Sequence, residues 1–198
     1  TIVSDPEATQ AVVSIMHRRT PIDRGTPAAY RNGLAISLYT SMFNQRLSEL
    51  TQVADPPYVI GVSSDGGLGF ARTASSYDLT GLVKDGAYLK ALETLLIEAE
   101  RVRQYGFTET ELSRAKENLL RGIEIAFNER ENRESSQLAA EYVRHLLLGE
   151  SIPGLEYEYT LTKTVLPQIT VTEVSDLSNF FMTEQNRVVS ISGPEDEA

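Results

Sequence analysis

In a chain without cysteine, hydrolytic chemistry has few places to start, and histidine comes first. Only His17 and His145 occur among the 198 residues. A catalytic zinc ion needs three protein ligands, usually histidine with a carboxylate, and an open position for water. Two imidazoles reach one ion from a single helix when they stand three or four residues apart. His17 falls in a predicted strand and His145 in a predicted helix, with Glu141 one turn earlier and no second histidine at that spacing. Each therefore reads as a surface or hydrogen-bonded histidine, and no catalytic or metal-ligating residue is expected here.

Other chemistries meet the same shortage. There is no Gly-x-Ser-x-Gly elbow, and a hydrolase triad would have to recruit one of the two histidines. Ser63-Ser64-Asp65-Gly66-Gly67-Leu68-Gly69 is glycine-rich, yet it lacks the Gly-Lys-Ser/Thr ending of a phosphate loop and lies between two predicted strands. It reads as a hairpin turn at residues 65–67. The run from Asn128 to Glu134 alternates in charge at a helix junction, the pattern of a solvated face with local ion pairs. Glu98, Glu100, Arg101 and Arg103 read as the wet side of their helix. The carboxylates are numerous, but nothing in their spacing marks an acid/base couple.

The bulk composition narrows the partners. A net charge of −10 repels nucleic-acid phosphates, and no basic stripe offsets it. No apolar run approaches the ~18–20 residues that span a bilayer. With 41% apolar and 23% charged residues the chain is globular, and it is long enough to bury a sizeable core. The start at Thr1 and the acidic tail at 194–198 read as the boundaries of an excised piece, so any targeting segment is expected upstream.

The elements follow from periodicity. Residues 9–19 alternate β-branched and apolar types, a strand covered on both faces. Thr26 then caps a helix with Pro27 in its first position, and Ile36, Tyr39, Phe43, Leu47 and Leu50 recur at helical spacing. Residues 58–62 and 68–79 read as a hairpin. Leu89, Leu92, Leu96 and Ala99 form the stripe of a second helix that Gly106 closes, and Thr108 with Glu111 forms a capping box for a third. Further helices are expected at 136–148, ending at Gly149, and at 155–166 and 171–182, the last with a capping box of Thr170 and Glu173. Residues 187–192 give a closing strand. The order β-α-β-β-α-α-α-α-β predicts a single α+β domain over 1–198, an antiparallel or mixed sheet with helices packed on one face.

Several strings carry a resemblance. Asn44-Gln45-Arg46-Leu47-Ser48-Glu49-Leu50 ends the first long helix, and Tyr105-Gly106-Phe107-Thr108-Glu109-Thr110-Glu111-Leu112-Ser113-Arg114-Ala115-Lys116 joins the middle ones. Glu150-Ser151-Ile152-Pro153-Gly154-Leu155-Glu156 follows Gly149, and Leu166-Pro167-Gln168-Ile169-Thr170-Val171-Thr172-Glu173-Val174 opens the last helix. In this order, over about residues 9–192, they resemble the second, non-zinc domain of bacterial pitrilysin/insulinase-type (M16) metallopeptidases.

The resemblance implies a fold similar to the LuxS/mitochondrial-processing-peptidase-like metallohydrolases and a role as part of a chamber that encloses peptide or small-protein substrates. No cofactor is expected in this chain. It implies zinc elsewhere in the full-length protein, held by an inverted His-x-x-Glu-His motif in a neighbouring domain of the same or a partner chain. The periplasm or cell envelope is the implied compartment, and a structural subunit of an inactive relative is the alternative role. Some members hold substrate with an arginine and a tyrosine after a similar helix, which makes Arg46 and Tyr58 the substrate-chamber candidates. Here Leu47 to Pro57 separate them, a longer spacing than in that pair. On residue chemistry alone Arg46 is a helix-end ion pair or interdomain contact, and Tyr58 a half-buried aromatic.

Overall fold

Alternation at the start of the chain builds the centre of a sheet. In the computed structural model, which describes residues 1–68, 71–84 and 86–195, the strands are β1 (Ile2–Asp5), β2 (Ala11–Arg19), β3 (Ile60–Leu68), β4 (Ala71–Val83) and β5 (Arg187–Pro194). The helices are α1 (Pro27–Glu49), α2 (Tyr88–Tyr105), α3 (Glu109–Asn128), α4 (Ser135–Leu148), α5 (Leu155–Val165) and α6 (Val171–Phe181). This is the α+β class with a mixed sheet, and five helices follow β4 where the predicted order counts four. No helix among the described residues is long and apolar enough to cross a membrane.

The described residues form two compact units. One comprises Thr1–Pro21, Thr40–Gly106 and Ser175–Ala198 and holds all five strands, in the order β1-β5-β2-β4-β3. β1 runs parallel to β5, and the remaining pairs are antiparallel. Val13 lies between Gly81 and Ile191, and Ile15 between Leu79 and Val189, so β2 is paired on both sides and buries Ala11, Val13, Ile15 and His17. α2 packs on β2 and β4. Tyr77 of β4 stacks on Phe181, centroids 4.5 Å apart.

Two expectations fail within this unit. Asp65, Gly66 and Gly67 are not a turn: they continue β3 opposite Tyr77, Ser76 and Ser75, with an irregularity only between Gly67 and Leu68. None of the three needs a positive φ, since β4 supplies partners for their backbone groups. Residues 69–70, between β3 and β4, lie outside the described residues. The stripe of α2 is also rotated. Its buried side is Ala91, Leu95, Ala99 and Val102, whereas Leu89 is 76% exposed and Leu96 is exposed too. Glu98, read as wet, is buried and pairs with Arg101. The helix has two apolar stripes, and the one carrying two alanines lets α2 approach the sheet closely over Gly81, which Leu95 overlies.

The second unit comprises Ile22–Tyr39 and Phe107–Val174. Here the local signals are realised as expected. Thr26 Oγ1 accepts from the Ala29 amide at 3.1 Å, and Pro27 occupies the first helical position. Thr108 and Glu111 form the reciprocal capping box of α3. Of the box expected from Thr170 and Glu173, the Glu173 amide donates to Thr170 Oγ1, while the Glu173 carboxylate is taken by Arg31, which holds it below the usual carboxylate range. Gly149 closes α4 in the left-handed conformation. Phe127 stacks on Tyr159 and Tyr39 meets Phe107 edge-on, tying helices that share no sheet. Replacing Thr108 with alanine leaves the Glu111 amide without its acceptor and is expected to cost about 1 kcal/mol, measured by urea unfolding.

Candidate functional site

Both histidines already have partners. His17 is buried, its Nδ1 3.0 Å from the Thr183 carbonyl oxygen, and burial pushes its pKa down. His145 Nδ1 lies 2.7 Å from the Glu150 carbonyl oxygen. Among the described residues no group of three or more His, Asp or Glu side chains is placed to hold a metal ion. The donor set of the described residues does not fit zinc.

The two chamber candidates are anchored at the end of α1. Arg46 donates from Nη2 to the Gly106 carbonyl at 3.0 Å and stays partly exposed. Tyr58 is more deeply buried than half, at 2% exposure, and its hydroxyl donates to the Leu47 carbonyl at 3.0 Å. Burial pushes that phenol up to about 12. Tyr58 thus holds the helix end from which Arg46 projects.

The built concavity lies elsewhere, within the second unit. Four stretches line a cavity of about 590 Å³: the loop before α1, the first turns of α1, α4 with Arg133 two residues before it, and α5 with its lead-in loop. Three arginines and three glutamates face it. Arg133 donates to Glu141 at 2.7 Å, and Arg144 to both oxygens of Glu150 at 3.0 and 3.2 Å. Arg24 stands 3.6 Å from Glu150 as well. Arg133 was expected to be part of a solvated charge run. It instead reaches eight residues along the chain to Glu141, the single buried residue of α4.

Glu158 is the exception among the six. It makes no ion pair and no side-chain hydrogen bond among the described residues. Burial, then the neighbouring Glu141 charge, holds its carboxyl above the usual carboxylate range, with Glu150 adding to the rise while Arg133 and Arg144 oppose it. A carboxyl raised in the folded state contributes stability that is complete below its unfolded pKa and is lost as pH rises through the folded one. Glu158→Gln is therefore expected to raise the thermal midpoint at pH 7, the difference closing below about pH 4. A midpoint that falls at pH 7 would count against this environment.

Gly33 opens the cavity from the α1 side. A Cβ built there meets nothing within 4 Å, and the backbone is helical. Gly33→Ala is expected to stabilise the protein by about 0.5–1 kcal/mol, as alanine does in an exposed helix interior. Urea unfolding checks this. Sequence reading placed no function on Arg24, Arg144, Glu150, Glu158 or Gly33. They are brought together only by the packing of segments over a hundred residues apart, and no local spacing records that.

The comparisons with known proteins cover nearly the whole chain. No family model matches it. It is 30% identical over 194 residues to a protein from Arabidopsis thaliana described as zinc protease PQQL-like, covering 98% of this chain and 17% of that protein. The chain thus spans about a sixth of this relative. Its fold matches the first half of the periplasmic protease PqqL from Escherichia coli, with a TM-score of 0.89 and 20% identity over 98% of this chain and 41% of that one. It also matches a peptidase M16 inactive domain from Pseudomonas fluorescens, with a TM-score of 0.67 and 15% identity over 98% of this chain and 43% of that one. These two likenesses concern the fold.

Proposed function

Because the chain is a domain of the pitrilysin/insulinase (M16) peptidase family, we propose that it is the non-zinc domain of a zinc metalloendopeptidase and forms part of the wall that encloses a peptide or small-protein substrate. The observation that carries this reading is the plant zinc protease: it aligns with 98% of this chain, yet the aligned stretch is 17% of its length. Most of such a protein lies outside this domain, with room for a zinc domain in the same polypeptide. The 198 residues act as one domain of that larger protein, supplying enclosure and position while bond cleavage takes place next door.

Arg46 is the residue of the candidate pair with surface to offer a passing peptide, and Tyr58 serves by fixing the helix end beneath it. The periplasm is the proposed compartment, supported by the description of the E. coli neighbour. The test is direct. The polypeptide preceding Thr1 should carry a His-x-x-Glu-His motif within the roughly 200 residues of one domain, and the full-length protein should hold zinc and cleave peptides. A preceding domain without the motif, in a protein that binds no zinc, sinks the reading.

A second reading has one observation in its favour, the inactive domain among the structural matches. There the whole protein is a structural or interaction subunit. Zinc present and peptide cleaved excludes it.

A further inference from the structure

The cavity between α1, α4 and α5 has a lining whose charges can be paired off one by one. Its arginines are already matched, Arg133 by Glu141 and both Arg144 and Arg24 by Glu150. Glu158 is not. An incoming anion would have to displace an existing carboxylate, whereas an incoming cation meets an acceptor with no competing partner. The remaining lining is apolar or aromatic, with Leu34, Leu155, Leu161 and Pro27 as walls and Tyr30 and Tyr157 beside them. Tyr30 has its hydroxyl fixed 2.9 Å from Thr162 Oγ1. Tyr157 is 49% exposed, its ring available to a cation's face.

An aliphatic stem ending in a positive head suits such a lining. Lysine and arginine side chains bury their methylenes on apolar surface while the head keeps a polar partner. At about 590 Å³ the space falls within the ~300–1,000 Å³ of small-ligand pockets, enough for one long side chain and the backbone that bears it. The net charge of −10 draws basic peptides towards the molecule before any contact forms.

We propose that this cavity is a subsite for a basic side chain of an extended peptide, its stem against Leu34, Leu155 and Leu161 and its head at Glu158. The subsite rests on the enclosing role proposed above only for the origin of the peptide. Its test reads binding rather than cleavage, so the two ideas fail separately.

The measurement is calorimetric titration of the full-length polypeptide, with a chelator present so that nothing is cut. The probes are acetyl-Ala-Arg-Ala-amide and its citrulline counterpart, which keeps the shape and removes the charge. The arginine probe should bind about tenfold more tightly, as expected for a charge-assisted over a neutral hydrogen bond. Glu158→Gln should erase that preference while the protein stays folded, its thermal midpoint at pH 7 no lower than the parent's. Gly33→Phe, which fills the mouth from the α1 side, should weaken both probes, and if this variant fails to fold, the Glu158→Gln titration decides alone. Equal affinity for the two probes, no detectable binding of the arginine probe, or a preference that survives in folded Glu158→Gln overturns the proposal.

Discussion

Gly106→Ala is expected to cost the protein about 3 kcal/mol or more, read as a fall in the urea midpoint with an unchanged slope. Gly106 follows the last turn of α2 with φ +65° and ψ −158°. Its positive φ matches the expectation for a helix-closing glycine, but its ψ lies far from the left-handed helical region. That combination is essentially restricted to glycine and costs other residues about 1–3 kcal/mol. Space adds to the strain. A Cβ would stand 2.6 Å from Ser175 Oγ and 2.9 Å from Ser175 Cβ, closer than such atoms approach. Ser175 lies in the first turns of α6, so relieving the contact means moving a helix rather than a side-chain tip. The Gly106 carbonyl also accepts from Arg46, so a displaced backbone loosens the end of α1. Ser175→Ala in the same molecule removes only the Oγ contact and should recover the smaller part of the loss. Gly33→Ala is the internal control, since the same chemical change is expected to stabilise there. A Gly106→Ala loss below about 1 kcal/mol would show that this backbone conformation is not enforced.

What could be read in the sequence follows the range of the forces concerned. Thr26 and Pro27, or Thr108 and Glu111, act on backbone groups within one turn, so the residues that specify a helix start are adjacent to it. The stripe along α1 is equally local, and Ile36, Tyr39, Phe43 and Leu47 are all buried. α2 marks where this ends. Periodicity names two candidate faces there, and only the closeness of the sheet at Gly81 selects the one with Ala91 and Ala99. β1 was not anticipated because its four residues are exposed and show no buried alternation; it exists by parallel pairing with β5, nearly the whole chain away. The cavity is the extreme case. Arg24, Gly33, Glu141 and Glu158 carry no shared pattern, and their meeting depends on three helices arriving at once.

The second large effect is expected at Asp65, which the sequence pattern places in a turn and the structure places in β3. Read as a turn residue, it would be exposed and replaceable. In the sheet it is a strand residue whose carboxylate takes the Arg19 guanidinium of β2, with side chains only 14% and 10% exposed. The Phe180 and Phe181 rings each lie 5.6 Å from the guanidinium carbon and limit its access to water. Two charges withdrawn from water offset each other here. The Thr20 carbonyl accepts a further bond from Arg19, but it brings no negative charge. Asp65→Ala therefore leaves a poorly hydrated cation and is expected to destabilise by about 3–5 kcal/mol. Asp65→Asn keeps an acceptor and should cost less. Replacing both partners, Arg19→Met with Asp65→Leu, should restore most of the stability, because the cost lies in the stranded charge rather than in the lost contact. Chemical unfolding of the three variants tests this ordering. If the double variant is as unstable as Asp65→Ala, packing in this corner rather than charge sets the stability. If Asp65→Ala is neutral, Asp65 behaves as the exposed turn residue of the first reading.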